Sequence, residues 1–196
     1  AAQSAGKISV DIKELGADLL SIAGHKLYAP KGVGILYIKN GITPEKFMHG
    51  AGHEGGRRAG TENVLEIVGL GKACEIAGRD LKKNSRHMKN MRDRLHKGLE
   101  QKIKDIKLNG HPEKRLPNTL SLSFKDINSD DLIQSLNDKV AVSAGAACHT
   151  GKISYVLEAM NIPREWSQGT LRFSTGKMTQ KSEIDRAVDI ISSIIK

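Results

Sequence analysis

At 196 residues, with 38% hydrophobic and 27% charged residues, the chain has the composition of a folded globular protein of one large or two small domains. Its 31 Lys and Arg against 22 Asp and Glu leave a net charge of +9, which admits nucleic acid or an acidic partner. No apolar run approaches the ~20 residues of a membrane span, the first residues lack the order of a secretory signal, and Cys74 and Cys148 neither build a disulfide framework nor show metal-ligand spacing, so a reducing, cytoplasmic setting is expected.

In chain order, Lys7–Asp11 alternates enough for a short strand or its approach. Leu15–Ala23 reads as a turn feeding a buried strand that stops at Gly24-His25-Lys26. After Pro30–Gly34 comes the β-rich run Ile35–Ile38. Residues 49–60 carry five glycines and predict a long loop that exposes its backbone. A helix is predicted from about Thr61 to Gly78. A second, over about 80–104, lines up Leu81, Met88, Met91, Leu95, Leu99 and Ile103 on one stripe and puts Arg86, Lys89, Arg92 and Arg94 on the rest. Strand candidates Thr119–Phe124, Val140–Ser143 and Thr170–Ser174 then alternate with helices near Asp130–Leu136, Tyr155–Met160 and Lys181–Ile195, the last with Thr179 as candidate N-cap. The expected division is 1–80 and 81–196. The first piece has too few elements to close an α/β layer, which suggests that a larger domain has been cut.

Four features carry possible chemistry. Lys26, at a strand end, is suited to a Schiff base with an aldehyde cofactor such as pyridoxal phosphate, or is simply a solvated lysine beside a turn. The segment Arg57-Arg58-Ala59-Gly60-Thr61 offers N–H groups, a hydroxyl and guanidinium charge to an anion, or is a structural glycine loop. Cys148, among small residues and next to His149, is either a thiolate on an adaptable loop or a small buried cysteine; Cys74, inside an apolar helix, reads as core. Arg172 alternates with Leu171 and Phe173, so its guanidinium faces away from the core, where it suits a carboxylate or plain solvent. His25, His49, His53 and His149 lack metal spacing, so no metal site is expected. The basic helix has no interleaved aromatics in a chain with 4% aromatic residues, which disfavours nucleic-acid binding.

Taken together, Ala1–Ser4, Ser21–Lys26, Gly50–His53, Arg58–Asn63, Val142–Cys148, Ser154–Leu157 and Leu171–Gly176 resemble, in order, the motifs of the cysteine desulfurases, within the class V aminotransferase group of fold-type I pyridoxal-phosphate enzymes. The resemblance implies an α/β fold: the C-terminal part of a large mixed-sheet domain that binds the cofactor (1–80), followed by a complete small domain (81–196) bearing the nucleophilic cysteine. It implies that Lys26 joins the cofactor's aldehyde and moves protons, Gln3 bonds its phenolic oxygen, and His25 contacts its phosphate. Thr61 reaches the phosphate of the neighbouring subunit in a homodimer, Arg172 clamps the substrate carboxylate, and Cys148 takes sulfur from L-cysteine as a persulfide for an acceptor protein. Selenocysteine lyases share much of this pattern, so L-selenocysteine stands as an alternative substrate, and a non-catalytic, partner-binding fragment as an alternative of another class. The chain departs from the family pattern in three places. Nothing corresponds to the Asp expected just before Ala1 or to the region upstream of it, Ala23 stands where Ser or Thr is common, and Ile153 where Pro is common. The isolated chain is therefore expected to turn over little substrate.

Overall fold

Two units make up the chain, Ala1–Lys82 and Lys83–Lys196; the computed structural model describes residues 1–144 and 154–195. In the first unit, residues 2–7 form a continuous turn rather than the start of a strand, and no strand covers Lys7–Asp11. Asp11 is the reason: its Oδ1 accepts from Lys13 N (2.7 Å) and Glu14 N (3.2 Å), which caps α1, Ile12–Leu15, and Gly16 closes it at φ 61°. Leu15 thereby ends a helical turn ahead of the strand.

β1, Leu19–Ala23, pairs antiparallel with β2, Gly34–Ile38, in the register Leu19↔Ile38 to Ala23↔Gly34. An irregular turn, α2 (His53–Gly56), lies in the glycine-rich loop; α3, Val64–Arg79, follows with Asn63 as its cap. Much apolar surface in this unit faces solvent. Val64, Leu65 and Val68 are exposed on α3, and Phe47 is 94% exposed. Cys74, read as core, is half-buried.

The second unit is a four-stranded antiparallel sheet of order β3-β4-β6-β5. After α4, Leu81–Lys102, come β3 (Ile106–Leu108), β4 (Thr119–Phe124), α5 (Ser129–Leu136), β5 (Ser143–Ala144), α6 (Tyr155–Ala159), α7 (Arg164–Ser167), β6 (Thr170–Ser174) and α8 (Lys181–Ile194). β3 was not expected. β5 begins where the predicted strand Val140–Ser143 ends, because the chain leaving α5 spends Lys139 N and Val140 N on the Leu136 carbonyl. The N-cap of α8 is Gln180 rather than Thr179: Gln180 N donates to Glu183 (2.7 Å) in a capping box, while Thr179 Oγ1 accepts from Gly176 N.

One core unites Met91, Leu95 and Leu99 of α4, Leu120, Leu122 and Phe124 of β4, Leu171 and Phe173 of β6, and Ile184, Val188 and Ile191 of α8. Leu120 lies opposite Phe173 and Leu122 opposite Leu171, so a single sheet face is apolar. Gly98 lets α4 approach α8 closely, since a Cβ there would sit 2.7 Å from Val188 Cγ2.

Arg92, expected on the solvated side of α4, is 3% exposed. Its guanidinium donates to Asp93 (2.6 and 2.8 Å) and to the Leu116 carbonyl (2.8 Å), so it is both paired and hydrogen-bonded, as burial of a charge requires. His96 stands in the same cluster, beside Glu100 (3.2 Å), with Arg115, Asp93 and Arg92 around it. Burial holds its pKa below the usual imidazole value; Glu100 acts upward and Arg115 downward, both less strongly. The unfolded chain, titrating near ~6.5, then binds more protons than the folded one, so His96 contributes stability above that pH and loses it as pH falls. The unfolding midpoint in urea, read from the single Trp166, is expected to drop between about pH 7 and about pH 5, and to drop less in His96→Gln.

Candidate active site

β1 runs directly into a 3-10 turn, Gly24–Leu27, that carries His25 and Lys26. Gly24 is required at its start: Gly24 N donates to Val33 O (3.0 Å), and a Cβ there would lie 2.6 Å from that same oxygen. The turn closes with Tyr28 in the left-handed region (φ 64°), Tyr28 N donating to His25 O and Ala29 N to Gly24 O. Lys26 is thus presented half-buried at the carboxyl end of a strand, where α/β sheets place ligands. Among the described residues no carboxylate pairs with it, and the His25 side chain is exposed.

The turn at residues 2–7 lies along β1, with Ala1 N donating to Ser21 O at 2.9 Å. It brings Gln3, exposed, into the same unit as Lys26, and it brings Lys7 against Lys26: Lys7 Nζ donates to the Lys26 carbonyl at 3.5 Å. Sequence reasoning did not single out Lys7. The available signal was a long cation set directly after the small residues Ala5 and Gly6.

Thr61 ends the glycine-rich loop and is exposed. The loop is tied from within. Glu54 N donates to Glu62 Oε1 (2.9 Å), His53 and Arg58 form an antiparallel bridge, and Arg58 donates to Glu54 Oε1 (3.2 Å) and to the Ala59 and Gly60 carbonyls. The Glu54 amide holds the Glu62 carboxyl below its usual range, with a lesser contribution from Arg58. Arg58, expected to offer charge to an anion, is therefore occupied in closing the loop, whereas Arg57 is exposed. Among the described residues no hydrogen bond joins Thr61 to the turn that holds Lys26.

A cleft of about 840 Å³ in the same unit is lined by Ile22, Ile35, Leu36, Phe47, Arg57 and Ile67, among others. None of Gln3, His25, Lys26 or Thr61 lines it. It is an open apolar surface rather than the place where those residues meet.

In the second unit, Arg172 sits at the centre of β6, opposite Ser121 of β4 and Ser143 of β5. Leu171 and Phe173 are buried and Arg172 is exposed, as its alternation predicts. Its sheet face is polar: Ser123 Oγ meets Thr170 Oγ1 at 2.7 Å, and Asn109 donates to Ser123 at 2.8 Å. Cys148 lies outside the described residues.

A model of the aminotransferase class-V family matches residues 1–187. The chain belongs to that family. Over its whole length it is 40% identical to a cysteine desulfurase IscS of Clostridium botulinum and 43% identical to one of Colwellia psychrerythraea, covering 51% and 49% of those proteins. A solved NifS-like protein superimposes on 99% of the chain with a TM-score of 0.89 at 36% identity, and the chain covers 50% of it. The chain thus spans about half the length of the curated relatives it matches.

Enzymes of this family depend in general on pyridoxal phosphate. The residues present fit that group. An aldehyde needs a reachable amine, and Lys26 has no ion pair among the described residues; a phosphate needs exposed donors, and His25 and Thr61 are both exposed. Among the described residues no helix is long and apolar enough to cross a membrane.

Proposed function

We propose that the chain supplies the catalytic amine, the carboxylate clamp and the sulfur-accepting thiol of a pyridoxal-phosphate-dependent cysteine desulfurase, which converts L-cysteine to L-alanine and leaves a persulfide on Cys148. The observation that carries this reading is Lys26 at the end of β1, with no ion-pair partner among the described residues, in a chain 40% identical over its length to a cysteine desulfurase.

When bound, the cofactor supplies an electron sink conjugated to the substrate's Cα. His25 and Thr61 hold its phosphate, Thr61 from the neighbouring subunit of a homodimer, and Gln3 donates its amide to the phenolic oxygen. The Arg172 fork takes the substrate's α-carboxylate, and the polar sheet face on which it stands favours that use. Lys26 Nζ carries the proton that leaves Cα. The Cys148 thiolate then attacks the substrate sulfur: an S–S bond forms, the Cβ–S bond breaks, the electron pair stays with Cβ, which takes a proton from water, and Lys26 returns its proton to Cα to complete alanine. A sulfur-acceptor protein of iron–sulfur or thio-cofactor supply takes the persulfide in a reducing compartment such as the cytoplasm.

The test is alanine release from L-cysteine together with peptide mapping of bound sulfur, both in the chain as it stands and in a polypeptide of the relatives' length that contains it. Turnover is expected in the longer polypeptide and little in the chain alone. Cys148→Ser is expected to carry no persulfide and to lose about 10³-fold of the activity, the order of effect of removing an activated nucleophile. Alanine released at the unaltered rate by Cys148→Ser contradicts the assignment.

A further inference from the structure

We infer that Lys7 is a positioning residue for Lys26, an inference that rests on the amine role proposed above and deepens it. Lys7 is 9% exposed, rare for a lysine without a carboxylate partner. Its ammonium is aimed at one acceptor among the described residues, the Lys26 carbonyl, at 3.5 Å.

The backbone is shaped to make this contact. Gly6 adopts φ +73°, and a Cβ there would lie 2.5 Å from Leu27 Cδ2 and 3.4 Å from Ala77 Cβ. Ala5 and Leu27 are both buried. The turn at residues 2–7 therefore lies directly on the 3-10 turn, Gly24–Leu27, and Ala1 N holds it to β1. A side chain at position 6 would part the two layers and withdraw Lys7.

What the contact achieves follows from the geometry of a short turn. Gly24 O and His25 O accept from Ala29 N and Tyr28 N, but the carbonyl between Lys26 and Leu27 points to Lys7 instead. A buried charged donor on that carbonyl fixes the peptide plane next to the Lys26 Cα, and with it the direction in which the Lys26 side chain leaves the turn. Burial first, and the Lys26 cation second, hold the Lys7 ammonium below the usual lysine range, so the fold keeps Lys7 in place at an electrostatic cost.

The test uses the full chain and two aldehyde probes, pyridoxal phosphate and pyridoxal, trapped by borohydride and mapped by peptide mass spectrometry, with the exposed Lys13 as internal reference. Lys7→Met is expected to lower the Lys26-to-Lys13 labelling ratio about ten-fold with both probes, and Lys7→Arg, which keeps a charged donor, to restore it to within about two-fold. Lys7→Gln, polar but shorter, carries the same expectation should Lys7→Met not fold. An unchanged ratio in Lys7→Met or Lys7→Gln overturns the inference. A loss that Lys7→Arg does not rescue also overturns it, because packing alone would then explain the effect. The cofactor reading is judged separately: if the unaltered chain labels Lys26 no better with pyridoxal phosphate than with pyridoxal, phosphate recognition at this site is refuted, while the comparison among Lys7 variants still decides the role of Lys7.

Discussion

Lys26→Ala is expected to abolish desulfuration, lowering alanine release in a polypeptide of the relatives' length by about 10³-fold or more, the combined order of losing covalent catalysis and a positioned proton carrier. Three observations give the effect its size. Lys26 stands at the carboxyl end of β1, no carboxylate among the described residues competes for its charge, and a glycine-started turn fixes it. Alanine truncates a half-buried side chain and leaves the backbone contacts of the turn intact, so unfolding is not the cause. Thermal melts of the variant should overlay those of the unaltered chain. If activity persists within ten-fold, another amine holds the cofactor and the site is misassigned.

The second large effect is on stability. Phe124→Ala is expected to destabilise the second unit by about 3–5 kcal/mol, the range for removing a buried aromatic whose cavity cannot collapse. Phe124 is fully buried at the end of β4, opposite Ile106 of β3, and its N–H donates to Gly169 O at 3.1 Å. Rigid backbone surrounds the site, because a Cβ on Gly169 would collide with the Phe124 carbonyl. Such a loss is a large fraction of the ~5–15 kcal/mol that stabilises an ordinary domain. Urea unfolding followed by Trp166, which lies in α7 of the same unit, measures it directly. The effect bears on function because Gly169 leads into β6, the strand that presents Arg172.

How much of this was legible in the sequence depended on whether the signal was local. β4 and β6 coincide with the expected Thr119–Phe124 and Thr170–Ser174, because alternating apolar residues on a one-sided sheet leave little doubt about register. α4, α5 and α8 agree to within two residues because their apolar stripes face a common core. β3 escaped notice because three residues, one of them Lys107, carry no period. α1 escaped because its formation rests on the Asp11 cap and Gly16 rather than on a hydrophobic pattern. The burial of Arg92 had no local signal at all: its acceptor, Leu116 O, is 24 residues away and is brought near only by the fold.

The candidate site divides in the same way. Lys26 stood out because Gly-His-Lys follows an apolar run, and Arg172 because it alternates with core residues. The inward engagement of Arg58 depends on left-handed Glu54 and Gly55, and the contact of Lys7 with Lys26 depends on left-handed Gly6; neither is visible as composition or spacing.

The most direct measurement of the central claim is a peptide map of the chain after incubation with pyridoxal phosphate and reduction with borohydride. The predicted result is a single dominant adduct on Lys26 that disappears in Lys26→Ala. An adduct spread evenly over the exposed lysines, or concentrated on another residue, would contradict it.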